Sequence, residues 1–262
     1  MAVSNFSLFL TIQKNNFKSA FTSKSDAWTN ILLMLINNLI FVFMWWALLQ
    51  NRGSINGWTM QHLYLMHGIN NFGFGIYAVF FRGCEEISQY IENGSLENYI
   101  TSPRNSLFLV LTSESTFANW GDIITGIVLF TISGYYIDIQ NIFIFIALTI
   151  IVASIFISFR LILSTFSFYK NDIERLGHNI FMSFLIFSSQ PASVFTGWYK
   201  VLYLTVIPAG FISLFPVEII TNFKWTNLLI LLSFTISIST FSVWFFYSGL
   251  KRYSSGNKFG VR

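Results

Sequence analysis

Two carboxylates, four amides and a histidine stand out because they sit in stretches that are otherwise apolar. Glu114 and Asp122 lie in one such stretch. Asn37 and Asn38 lie in an earlier one, and His67, Asn70 and Asn71 in another. Amides in hydrocarbon need partners, so the asparagines either join helices or line a path for a substrate. Carboxylates are costlier there and are the better functional candidates. Acid–base catalysis would need the two acids side by side. They are eight residues apart, two turns of one helix and about 12 Å, too far for direct cooperation. His62, His67 and His178 are scattered along the chain, so no metal site is expected. Cys84 is the only cysteine, which excludes an internal disulfide and cysteine-based zinc or iron–sulfur sites. No catalytic residue is predicted.

The elements that position these groups follow from composition. Of 262 residues, 54% are hydrophobic and 10% charged, with a mean hydropathy of +0.60. That is too little charge to cover a soluble domain, which carries about 25%. It excludes an ordinary soluble enzyme, a disordered chain and a nucleic-acid-binding domain. Four prolines leave long helices uninterrupted. The expected fold is all-α: one polytopic membrane domain over residues 1–262 with six transmembrane helices. The predicted spans are 27–50, 60–81, 115–136, 141–163, 179–197 and 226–249. The third is entered through a helix from 105 that carries Glu114. Residues 1–26 alternate Phe and Leu with Lys and Asn and read as an amphipathic surface helix, with Ser25 or Asp26 capping the next. Residues 198–225, short and proline-marked, read as an outer re-entrant helix pair between spans five and six.

The basic residues orient this scheme. Twelve Lys and Arg, Arg160 near the end of the fourth span among them, fall on the side of both termini, residues 82–104 and residues 164–178; Arg52, Lys200 and Lys224 fall on the other. The bias places both termini in the cytoplasm of a cell inner membrane. The N-terminal apolar stretch is too short for a cleavable signal peptide. Cys84, on the cytoplasmic side, is expected to react with an impermeant maleimide from that side alone.

The 82–104 connection is patterned. Ile87, Tyr90 and Ile91 make one helical stripe, Asn93–Gly94 a stop, and Leu96, Tyr99 and Ile100 a second stripe behind Ser95 as cap, limited by Pro103. Glu85–Glu86 resembles the paired glutamates of intramembrane CAAX-type proteases. The pair lacks the family's following arginine, and it is read as a solvated acidic face. The phosphate-cradling G-x-x-x-x-G-K-[ST] is absent, as are H-E-x-x-H, G-x-S-x-G and C-x-x-C.

Three stretches, in order, resemble the ABC-2-type permease family, in its six-span branch of about 260 residues. Gly94-Ser95-Leu96-Glu97-Asn98-Tyr99-Ile100-Thr101-Ser102-Pro103 is similar to the branch's G-x-L-D-x-x-L-x-x-P, with Glu97 for Asp and Ile100 for Leu. Gln190-Pro191, Trp198, Ile207-Pro208-Ala209-Gly210-Phe211 and Phe215-Pro216 are similar to its outer segment. Gly249 to Gly256 is similar to its closing G-x-x-x-Y-x-S.

The resemblance implies a permease subunit of an ATP-driven exporter. It would pair with a second, identical or homologous permease and with two copies of a separate ATPase that binds ATP and Mg, leaving no cofactor on this chain. Membrane lipid is the other expected partner, and no nucleic acid is expected. In this reading Ile87, Tyr90, Gly94, Leu96, Glu97, Tyr99 and Pro103 couple to the ATPase, the apolar stripe docking in its groove. The N-terminal helix would brace that element. Asn37, Asn38, Asn70, Asn71, Glu114, Asp122, Pro191, Pro208 and Pro216 would form a path or gate, lined mainly by spans one, two and five, for an amphipathic or lipid-like substrate. The alternative is an intramembrane enzyme or channel working without an ATPase.

Overall fold

The computed structural model describes residues 5–50, 53–170, 173–205 and 207–253, with the side chain of residue 24 left aside. Arg52, Asp172, Lys258, Arg262 and the end of the closing motif, from Ser254 to Gly256, lie outside the described residues.

The described chain is helical, with no strand among the described residues. Its α-helices are α1 (Asn5–Ala20), α2 (Lys24–Leu49), α3 (Met60–Phe80), α4 (Ile87–Glu92), α5 (Leu96–Ile100), α6 (Ser106–Thr112), α7 (Trp120–Ile132), α8 (Ile139–Thr165), α9 (Glu174–Ser188), α10 (Trp198–Thr205), α11 (Gly210–Thr221) and α12 (Trp225–Leu250). A tight helical turn, Arg82–Glu86, joins α3 to α4.

Among the described residues three helices are long and apolar enough to cross a membrane: Ser25–Leu49, Ile139–Phe168 and Trp225–Leu250. The count rises to five if each of two bent pairs, α6 with 117–132 and α10 with α11, is one span. α3 and α9, expected as spans two and five, fall outside that count for different reasons. α3 holds His67, Asn70, Asn71 and several glycines, and it is the centre of the bundle, packed by α2, α7, α8 and α11. A helix that meets protein on most sides needs no greasy outer face. α9 has 15 residues, about 22 Å of helix, short of a hydrocarbon core of about 30 Å.

The third predicted span is not one helix. α6 stops at Thr112, and the chain re-enters helix at Phe117 after a bend of 76°. The break falls on Ser113-Glu114-Ser115-Thr116. Short hydroxyl side chains compete for backbone groups here: the Ser113 hydroxyl donates to the Val110 carbonyl at 2.8 Å. The Thr116 N–H leaves the helix pattern for the Ala78 carbonyl at 3.0 Å. Glu114 is therefore exposed in a turn and shares no helix face with Asp122.

Between α3 and α7 the backbones meet. A Cβ on Gly126 would stand 2.8 Å from the Gly68 carbonyl oxygen and 2.6 Å from Phe72 Cβ. Lipid tails are as apolar as leucine, so burial alone does not drive such helices together; close small-residue packing and interhelical hydrogen bonds do. A stack of rings fills the far side of α3: Tyr77 lies 5.7 Å from Phe181, and Phe156 lies 5.8 Å from Phe184.

The α4–α5 stripe faces inward except at Ile100, which is exposed. Ile87, Tyr90 and Leu96 are buried in this chain's own core, and Tyr99 packs on Tyr90 with ring centres 5.0 Å apart. They are not free to enter a partner's groove. Ser95 does not cap α5 with its side chain; instead its N–H donates to Asn93 Oδ1 at 2.9 Å. Neither Ser25 nor Asp26 caps α2, which starts at Lys24 after Ser23. Pro191 and Pro208 lie at helix ends, but Pro216 sits inside α11 without ending it. Its missing N–H removes one hydrogen bond, and the packed neighbours hold the rest.

Candidate functional site

A cavity of about 330 Å³ opens between α2, α3, α7, α8 and α9. Its apolar wall includes Met34, Phe41, Phe74, Phe156, Met182, Leu185 and Ile186. Its polar wall includes Asn37, Asn38, His67, Asn70, Asn71 and Asp122. The four asparagines and one of the two acids singled out by sequence thus meet in one place.

Asp122 sits in the first turn of α7 and is buried. Asn38 Nδ2, from α2, donates to its Oδ1 at 2.6 Å. Asn119 Nδ2, one turn earlier, donates to its Oδ2 at 2.6 Å. Two amides thus stand where water or a cation would otherwise solvate the carboxylate. Thr125 lies 3.4 Å from the Asn38 amide and donates its own hydroxyl to the Gly121 carbonyl. On α3, Asn70 Nδ2 donates to the Ser188 carbonyl at 2.6 Å, tying α3 to α9. The Asn70 Oδ1 and the His67 Nε2 are buried with no partner among the described residues. Asn37, Met182 and Ile186 are exposed and form the rim.

The remaining predicted residues lie elsewhere. Glu114 is in the exposed turn after α6. Pro191, Pro208 and Pro216 are buried around α10 and α11 and do not line the cavity. Gly94 turns the chain between α4 and α5 at φ +76°, the left-handed region that favours glycine. Glu97 is half-buried and Pro103 exposed. With the stripe turned inward, the outward face of this element is Gln89, Glu92, Asn93, Asn98 and Ile100.

Asn119 escaped the sequence reading, although its spacing from Asp122, three residues at a helix start, is the available signal. A second network also escaped it. Glu85 is not a purely solvated acid: Arg82 Nε donates to its Oε2 at 3.1 Å, and the Tyr77 hydroxyl donates to its Oε1. Arg82 also donates to the Thr116 hydroxyl, so this cluster ties the end of α3 to the break before α7. α1 lies against the same junction. Its Gln13 donates to the Phe80 carbonyl at 3.3 Å and its Asn16 to the Thr112 carbonyl at 3.4 Å. Its rings Phe17 and Phe21 pack on Phe117. α1 thus braces α3, α6 and the 117 turn more than α4 and α5. Arg160, counted among the orienting cations, is buried, with its guanidinium 5.5 Å from the Phe181 ring centre. Cys84 is wholly buried, and burial, with Glu85 nearby, pushes its thiol up to about 12. A neutral, enclosed thiol is a poor maleimide target, which corrects the labelling expectation.

No curated protein and no solved structure matches this chain. A family model does match, that of the ABC-2 family transporter proteins, over residues 32–256. The match takes in every cavity-lining residue, the α4–α5 turn and the whole closing motif, and on it this multi-pass membrane chain belongs to the ABC-2 family of transporter permeases.

Proposed function

We propose that this chain is the membrane permease subunit of an ATP-driven exporter of an amphipathic substrate. The observation that carries the reading is the cavity: a buried carboxylate and a ring of amides inside an apolar bundle whose family moves substrates across membranes. A carboxylate buried inside an apolar helix bundle is costly, and a substrate path is a common reason to keep it. The chain lacks a phosphate-cradling loop, so its energy would come from another polypeptide.

In this reading the chain makes six crossings, with α3 and α9 among them, and α10–α11 is a re-entrant pair closing the outer side. Both termini are cytoplasmic in the inner membrane. A second permease, identical or homologous, stands beside α2 and α9, whose exposed rim residues line the path between the two. Two ATPase copies bind below. They meet the outward face of α4 and α5 rather than the buried stripe, with Gly94 and Glu97 transmitting the motion. Coupling requires two arrangements of the bundle that the nucleotide state favours differently. The Arg82–Glu85–Tyr77–Thr116 cluster and α1 are placed to carry movement at α4 into α3 and α7.

The test is a crosslink. In a Cys84→Ser background, Asn98→Cys carries a short bifunctional reagent in the native membrane. A covalent product with an ATPase subunit supports the reading. Crosslinks to lipid or to this chain alone, with the ATPase present, remove α5 from the interface.

A further inference from the structure

The buried polar atoms that the cavity leaves without a partner can accept a hydrogen bond. Asp122 is its only acid among the described residues, each carboxylate oxygen holds one amide donor, and each has a further lone-pair site. Asn70 Oδ1 adds an acceptor with no partner, and His67 adds a ring nitrogen with no partner. Both residues are more than nine-tenths buried and line the cavity. Among the described residues no lysine or arginine lines it, so the negative charge of Asp122 has no counter-ion there. Among the described residues no group of three His, Cys, Asp or Glu is placed to hold a metal, and the rest of the wall is aromatic and aliphatic. The volume suits an organic group rather than a bare ion.

We infer that the cavity takes a primary ammonium group on an apolar chain. The ammonium supplies three donors: to an Asp122 oxygen, to Asn70 Oδ1 and to the unpartnered His67 Nε2. The chain lies along Phe41, Phe74 and Phe156 toward the rim at Met182 and Ile186. This names a cationic amphiphile as the substrate class, and it rests on the permease reading above. A carboxylate or phosphate headgroup is disfavoured, because it would face Asp122 with no cation between them.

The experiment uses the native complex in nanodiscs and three probes below their micelle concentrations: decylamine, decanol and decanoate. Expected is saturable binding of decylamine at least tenfold tighter than decanol, about 1.4 kcal/mol, with decanoate weaker still. Asp122→Asn should abolish that preference. Where Asp122→Asn does not assemble, Asn70→Leu serves, and it should narrow the decylamine–decanol gap severalfold. If the complex binds decanol as tightly as decylamine, or a variant that assembles keeps the full preference, the ammonium assignment is overturned. If none of the three binds saturably, the cavity is not a site for such ligands at all. An ATPase copurifying in the same preparation reports on the permease reading separately, so the two failures are distinguishable.

Discussion

Asn38 and Asp122 stand 84 residues apart in the chain and 2.6 Å apart in space, one amide hydrogen bond joining α2 to α7. The bond satisfies a carboxylate that would otherwise be stranded in an apolar bundle, and it fixes one wall of the cavity.

Asn38→Ala should therefore cost more than a lost contact. It leaves Asp122 Oδ1 without its donor, a penalty of about 1–3 kcal/mol. The expected result is a lower thermal midpoint for the detergent-purified chain, read by circular dichroism. Pairing Asn38→Ala with Asp122→Asn should recover part of the loss, because the uncompensated charge is gone. A double variant less stable than both singles would contradict this.

Gly126→Val should separate α3 from α7. The added atoms meet the Gly68 carbonyl and Phe72, and overpacking of this kind costs about 1–3 kcal/mol. Because α3 carries Asn70 and α7 carries Asp122, transport should fall with stability. Gly177→Ala, in α9 where an added Cβ meets nothing nearer than 3.5 Å, is the control for a change that leaves this crossing intact.

The sequence made the cavity's membership legible, because amides and acids are conspicuous in apolar runs and hydrocarbon forces each to find a partner. Which partners they find was not legible. Asn38 meets Asp122 only through the tertiary crossing of α2 on α7, and no local pattern encodes it. The same holds for the α4–α5 stripe: its periodicity showed a buried face correctly, but periodicity does not say whether the face is covered by the chain's own bundle or by another protein. The break at 113–116 has no Gly or Pro to announce it. A run of Ser and Thr stands in their place, and its effect depends on Arg82 and Ala78 being close enough to take up Thr116.

Topology has a direct probe. With Cys84 replaced by Ser, Asn98→Cys should label with an impermeant maleimide from the cytoplasmic side alone, and Ser54→Cys from the outside alone. Both positions are exposed. Native Cys84 should stay unlabelled at pH 7 until the chain is denatured, since its thiol titrates near 12. The reverse labelling pattern would invert the orientation.

Glu86 gives a pH signature. Burial raises its carboxyl above the ordinary value; Arg82 opposes this and Glu114 adds to it. A raised folded-state value means the folded chain holds its proton more tightly than the unfolded chain. Glu86 therefore opposes folding once pH climbs through its raised value, and that opposition fades as pH falls toward the ordinary value near 4.5. Glu86→Gln should raise stability at pH 7 relative to the unmodified chain and bring the two together at acid pH. Thermal unfolding across pH 4 to 8 checks the sign.

At the α4–α5 turn, Gly94→Leu forces a side chain into the left-handed region, a strain of about 1–3 kcal/mol, although nothing lies within 4 Å of its Cβ. With Glu97→Lys, which reverses the charge on the same turn, it should leave the complex assembled and cut transport more than tenfold, with substrate no longer stimulating ATP hydrolysis. Normal transport and normal stimulation in both variants would take the coupling role away from this turn.

The most direct measurement is purification of this chain from its native host membrane, with native mass spectrometry and ATP hydrolysis assayed on the same sample. Expected are two permeases with two ATPase subunits and hydrolysis that disappears when the ATPase is stripped away. A chain that arrives with no nucleotide-hydrolysing companion, and still transports or modifies a substrate, would overturn the permease reading.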